Sequence, residues 1–98
     1  MVLQKDDIKK VVSDYFKDKP VRKVWLFGSY ARGEADAESD VDVMLDLDRT
    51  TPIGLKFFGW SDDLAEIFKK KVDVISSDGV NNRLMPYIQK DMTLIYER

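Results

Sequence analysis

Asp40-Val41-Asp42-Val43-Met44-Leu45-Asp46-Leu47-Asp48 alternates with a period of two. Val41, Val43, Leu45 and Leu47 fall on one side, and Asp40, Asp42, Met44, Asp46 and Asp48 on the other. This is the pattern of a half-buried β-strand. Asp40 and Asp42 then face the same way, with Cα atoms roughly 6–7 Å apart. Carboxylates held that close repel, and each raises the other's pKa unless a cation intervenes. A divalent metal with oxygen ligands removes the conflict. A solvated edge-strand face would alternate in the same way, so the pair needs support from the rest of the chain.

Upstream, Val24-Trp25-Leu26-Phe27 closes a run from Val21 that is apolar on both faces, as a central strand requires. Gly28-Ser29 breaks it, and Tyr30 to Ala35 predicts a short helix or turn. Glycine permits close approach by an anion. The amides of a helix start and the Ser29 hydroxyl can donate to phosphate, although Ser29 is equally suited to capping. Further back, Ile8, Val11, Val12, Tyr15 and Phe16 predict an amphipathic helix over 5–18, ended before Pro20.

Downstream, Thr50-Thr51-Pro52 reads as a loop or helix start. Phe57, Trp60, Leu64, Ile67 and Phe68 form an apolar helical stripe ending in Lys69-Lys70-Lys71, with Gly59 weakening its first half. Val72 to Ile75 predicts a short strand in which Asp73 sits opposite Val72 and Val74; Asp is poorly suited to such a strand unless it has work to do. If this strand neighbours the first, Asp40, Asp42 and Asp73 converge, and three carboxylates suit a two-metal site. Val80, Leu84, Tyr87 and Ile88 predict a last helix, and the alternation of Met92, Leu94 and Tyr96 allows a final short strand or an extended tail. The order of elements predicts one α/β (α+β) domain over residues 1–98, a small β-sheet flanked by helices.

Composition narrows the chemistry. The 98 residues include neither cysteine nor histidine, which excludes thiolate and imidazole metal sites and leaves oxygen ligands, hence Mg²⁺ or Mn²⁺. Acid–base work falls to Asp, Glu, Lys or Tyr. The net charge of −2 and the lack of a basic, aromatic-interleaved stripe argue against strong general nucleic-acid binding. With no signal-peptide pattern at the first residues and no long apolar run, the expectation is a cytoplasmic protein without membrane association.

Gly28-Ser29, followed after ten residues by Asp40-Val41-Asp42, resembles the signature of the polymerase-β-like nucleotidyltransferase superfamily. The longer run Gly28 to Ala35, continued by Ser39 to Val43 and later by Lys71-Val72-Asp73-Val74, is similar to its minimal nucleotidyltransferase (MNT) branch. The resemblance covers nearly the whole chain. It implies a polymerase-β-like core with a mixed sheet, and transfer of a nucleoside monophosphate from ATP or another NTP to a hydroxyl with release of pyrophosphate. By matched position, Asp40, Asp42 and Asp73 are the implied catalytic metal ligands, for two Mg²⁺ ions with Mn²⁺ as the alternative. Gly28 and Ser29 are the implied phosphate holders. MNT proteins are often paired with HEPN-domain ribonuclease toxins, and some modify a toxin tyrosine with AMP. The implied partner is thus a cognate HEPN toxin in a hetero-oligomer, with this chain as its antitoxin.

Two other functions fit the same sequence: an antitoxin that neutralises by binding alone, and the catalytic subunit of a two-component transferase acting on tRNA or a small molecule. Individual residues also carry two readings. Arg32 suits the triphosphate as a bidentate donor, or pairing with Glu34 or a partner's acid. Asp73 suits metal, or a salt bridge to a nearby basic residue. Tyr30 suits stacking on a base, or packing. Asp46 shares the strand face of the site and reads as surface or as support behind the acids, and Arg83 and Lys90 read as surface. Trp25, Phe57, Phe58 and Trp60 read mostly as core, and any left exposed would form a protein-binding patch.

Overall fold

The computed structural model describes residues 3–48, 50, 54, 56–80 and 82–98. Its elements are α1 (Lys5–Phe16), β1 (Val21–Phe27), α2 (Ser29–Arg32), β2 (Val41–Leu47), α3 (Lys56–Phe68), β3 (Val72–Ser76), α4 (Met85–Asp91) and β4 (Thr93–Glu97). The strands form one mixed sheet in the order β3-β2-β1-β4. β1 runs antiparallel to β2 and β4, whereas β2 and β3 are parallel and joined through α3. The expected mixed sheet flanked by helices is the observed one. The expected loop or helix start at Thr51-Pro52 lies outside the described residues.

One face of the sheet carries the core. Val24, Leu26, Val41, Val43, Leu45 and Val72 meet Ile8, Val12 and Phe16 from α1 and Trp60, Leu64 and Phe68 from α3. The Phe16 and Trp60 rings join the two helices edge to face, with centroids 5.6 Å apart. The other face carries two cross-strand rows. Phe27, Asp42 and Asp73 form the first, and Trp25, Met44 and Ile75 the second. Among the described helices only the short α4 packs over this face, and the site lies there.

Four expectations shift, each for a local reason. The first helix ends at Phe16 rather than 18, because Pro20 forces Lys19 out of the helical region. The last helix begins at Met85 rather than near Val80: Pro86 fits only a first helical turn, so it sets the start. Met44, on the nominally polar side of β2, is 2% exposed, since Trp25 and Ile75 flank it on an apolar row. In β4 the buried residue is Ile95 and not Leu94. A register irregularity between Val24 and Trp25 resets the phase of that strand.

Candidate active site

The loop before β2 and the parallel pairing of β2 with β3 bring the predicted acids to one end of the sheet. Asp42 and Asp73 are direct cross-strand partners, close enough for the Asp73 carboxylate to act on Asp42. Burial is the largest influence on Asp42, followed by the adjoining Asp73 side chain and the charges of Asp73 and Asp40; Lys71 opposes them, and the Asp42 pKa is pushed up to about 6. Lys71 Nζ stands 3.8 Å from Asp73 Oδ1, and both side chains are well exposed.

Asp40 precedes β2, half-buried, and its charge reaches Asp42. The three acids nonetheless stop short of a closed ligand set: no group of three or more carboxylates stands in metal-holding geometry among the described residues. The donor chemistry does fit Mg²⁺ or Mn²⁺, because the acids supply carboxylate oxygens and the charges of Asp73 and Asp40 bear on Asp42 more strongly than Lys71 offsets them.

Gly28 lies against this pair for two reasons. Its φ of 76° is in the left-handed region, where a side chain is strained. A Cβ there would also collide with Asp42 Oδ2. The Gly28-Ser29 turn and the carboxylate strand are therefore in direct contact. Ser29, half-buried, opens α2.

Arg32 closes α2 and is bound on both sides. Its Nε donates to Glu34 Oε2 and one terminal nitrogen to Asp91 Oδ2, each at 3.0 Å. The expected Arg32–Glu34 pairing is thus present, extended to α4. Tyr30 packs: it is 3% exposed in the core, and its hydroxyl accepts from Lys70 Nζ at 2.7 Å. Lys70 went unread in the sequence, where it looks like one of three interchangeable helix-end lysines.

Beyond the acids lies an apolar cavity of about 410 Å³, with Asp42 and Asp73 at one end and Phe27, Ile75, Leu84 and Tyr87 among its walls. Leu84 and Tyr87 are 56% and 73% exposed, so half of the apolar stripe expected of the last helix faces outward, whereas Ile88 is buried. Phe58 is exposed as well, whereas Trp60 is buried. No helix among the described residues is long and apolar enough to cross a membrane.

The polymerase beta nucleotidyltransferase profile covers residues 7–98.

The chain belongs to the polymerase beta nucleotidyltransferase family.

Within this nucleotidyltransferase family it is 37% identical over 91 residues to MJ1379 of Methanocaldococcus jannaschii, a candidate protein adenylyltransferase; the match covers 90% of this chain and 85% of that protein. Two solved structures share the nucleotidyltransferase fold. One is a toxin–antitoxin complex with AMP-PNP, at TM-score 0.75 and 17% identity over 95% of this chain and 74% of that one. The other is a tri-AMPylated HEPN toxin of Shewanella oneidensis in complex with an MNT antitoxin, at TM-score 0.73 and 15% identity over 95% and 72%.

Proposed function

We propose that this chain is a metal-dependent protein adenylyltransferase, an antitoxin that transfers AMP from ATP to a tyrosine hydroxyl of a cognate HEPN toxin in the cytoplasm. The adjacency of Asp42 and Asp73, pressed against Gly28, is the single observation that carries this reading. The relatives' activities supply the choice of ATP and of a toxin as substrates.

Asp40, Asp42 and Asp73 would hold Mg²⁺ or Mn²⁺, in a two-ion arrangement. When bound, the metal supplies neutralisation of the triphosphate and a lowered pKa for the acceptor hydroxyl. Gly28 and Ser29 hold the outer phosphates. Arg32 joins them by exchanging one of its carboxylate partners for a phosphate oxygen. Asp73, farther from Gly28-Ser29 than Asp42 is in strand order, orients the acceptor hydroxyl and takes its proton. The acceptor oxygen bonds to the α-phosphorus, the bond to the bridging oxygen breaks, and pyrophosphate leaves. The apolar cavity walled by Leu84 and Tyr87 receives the acceptor's ring, and residues 1–98 work as one unit whose acceptor comes from the partner.

The test is label transfer from α-labelled ATP to the toxin with Mg²⁺. Wild type labels the toxin and Asp42→Asn does not; undiminished labelling by the variant would refute the assignment. The exposure of Leu84 and Tyr87 supports one further reading, neutralisation by binding alone. In that case toxin inhibition survives the double substitution Asp40→Asn/Asp42→Asn.

A further inference from the structure

We infer that Lys70 is a positioning residue that sets the separation between the phosphate-holding turn and the metal-binding acids; the inference rests on the function proposed above. Its ammonium donates to the Tyr30 hydroxyl at 2.7 Å and to the Ser39 carbonyl at 3.1 Å. Tyr30 follows Ser29, and Ser39 precedes Asp40. Lys70 itself stands three residues before Asp73, and the carbonyl of the next residue, Lys71, accepts from the Val41 amide at 3.0 Å. One side chain thus joins all three segments that bear the site.

Two features separate this lysine from its neighbours in the run. Lys69 and Lys71 are exposed, and Lys71 meets Asp73 at the surface, whereas Lys70 is partly buried with its nitrogen 5.1 Å from the centre of the Tyr30 ring. The chain also adopts a strained conformation just before it. Lys69 has a φ of 58°, the one positive φ at a non-glycine among the described residues. A residue other than glycine is held there only where its surroundings enforce it. The left-handed residue ends α3 and turns the chain into Lys70 and β3.

The tether has a clear mechanical task. α2 has only four residues, a single turn, which does not hold itself in place. Asp40 lies in the loop ahead of β2, outside the strand pairing that fixes Asp42. Core packing of Tyr30, the Lys5 bond to the Ala31 carbonyl and the Arg32–Asp91 pair also hold α2, but Lys70 is the side chain that ties it to the Asp40 loop. Without it Ser29 and Asp40 can drift apart, and a nucleotide whose phosphates and metal must span them loses its matched partners.

Lys70→Met, Lys70→Arg, Tyr30→Phe and the double variant Lys70→Met/Tyr30→Phe are titrated with a non-hydrolysable ATP analogue and Mg²⁺ by calorimetry, beside their unfolding curves. Lys70→Met weakens binding at least tenfold, Tyr30→Phe severalfold, and the double variant no further than Lys70→Met. Lys70→Arg, which keeps donors for both oxygens, recovers most of the loss. In label transfer the KM for ATP rises and that for the toxin does not. Unaltered affinity in Lys70→Met, lowered stability with unaltered affinity, or additive effects in the double variant would each overturn the inference. If Lys70→Met fails to fold, Tyr30→Phe decides alone: unaltered affinity overturns the tether.

Hydrogen exchange reads the same restraint without ligand. Lys70→Met should speed exchange at the Arg32, Glu34 and Val41 amides at least tenfold while that in α1 stays unchanged; equal rates overturn the inference. Wild type that binds the analogue but transfers no label refutes the adenylyltransferase reading and leaves these results standing.

Discussion

Asp42 and Asp73 face one another across the parallel strands β2 and β3, with the Cα of Gly28 packed against the Asp42 side chain. Parallel pairing puts the acid pair at the same end of both strands. The antiparallel turn from β1 brings Gly28-Ser29 to that end as well. Three stretches that are distant in sequence therefore share one rim of the sheet.

The acid pair makes metal-free stability depend on pH. Asp42 has a folded pKa of about 6 against an ordinary 3.8. Between those values the folded state holds more protons than the unfolded one, so stability falls as pH rises. Because Asp42 is only half-buried, the discounted effect is on the order of 1 kcal/mol. Denaturant unfolding with chelator, at pH 4 and pH 7, should show this loss in wild type and not in Asp42→Asn. Mg²⁺ at pH 7 should restore it in wild type only.

Gly28→Ala and Gly33→Ala separate backbone strain from collision. Both glycines have a positive φ, but only at Gly28 does an added Cβ meet Asp42; at Gly33 the space is open. Gly33→Ala should cost about 1 kcal/mol in thermal unfolding, the backbone share alone. Gly28→Ala should cost roughly 2–3 kcal/mol and also lose nucleotide binding, since the Asp42 carboxylate must move. Equal losses would remove the contact from the account.

Tyr87→Ala tests the acceptor cavity. The ring is largely exposed, so stability should change by no more than about 0.5 kcal/mol. Affinity for the ATP analogue should hold, while the rate of toxin labelling at limiting toxin falls about tenfold, as expected for an aromatic contact residue worth over 1 kcal/mol. Weakened analogue binding without toxin would move the nucleobase into the cavity instead.

Arg32→Gln distinguishes a phosphate ligand from a strut. The guanidinium and Glu34 are exposed, with Asp91 more covered, and pairs with so exposed a member hold little stability. Thermal unfolding should barely move, while calorimetry shows nucleotide affinity about tenfold lower. The reverse pattern would assign Arg32 to tying α2 to α4.

Much of this was legible in the chain. β1 was readable as central because Val24 to Phe27 is apolar on both sides, and the acids of β2 and β3 stood out against valines. The adjacency of those two strands was not legible, since it depends on pairing at long range rather than on local pattern. The phase of β4 failed for a related reason: Leu94, Ile95 and Tyr96 are all apolar, so a one-residue irregularity decides which is buried. Lys70 escaped notice because three consecutive lysines look alike until the left-handed Lys69 turns the chain beside them.

The central claim is that Asp40, Asp42 and Asp73 act as one metal site once nucleotide is present. Mn²⁺ uptake followed by electron paramagnetic resonance, with a non-hydrolysable ATP analogue, tests it most directly. The account predicts that wild type takes up Mn²⁺ and that Asp40→Asn, Asp42→Asn and Asp73→Asn each bind it at least tenfold more weakly. Wild-type uptake in Asp73→Asn would contradict it.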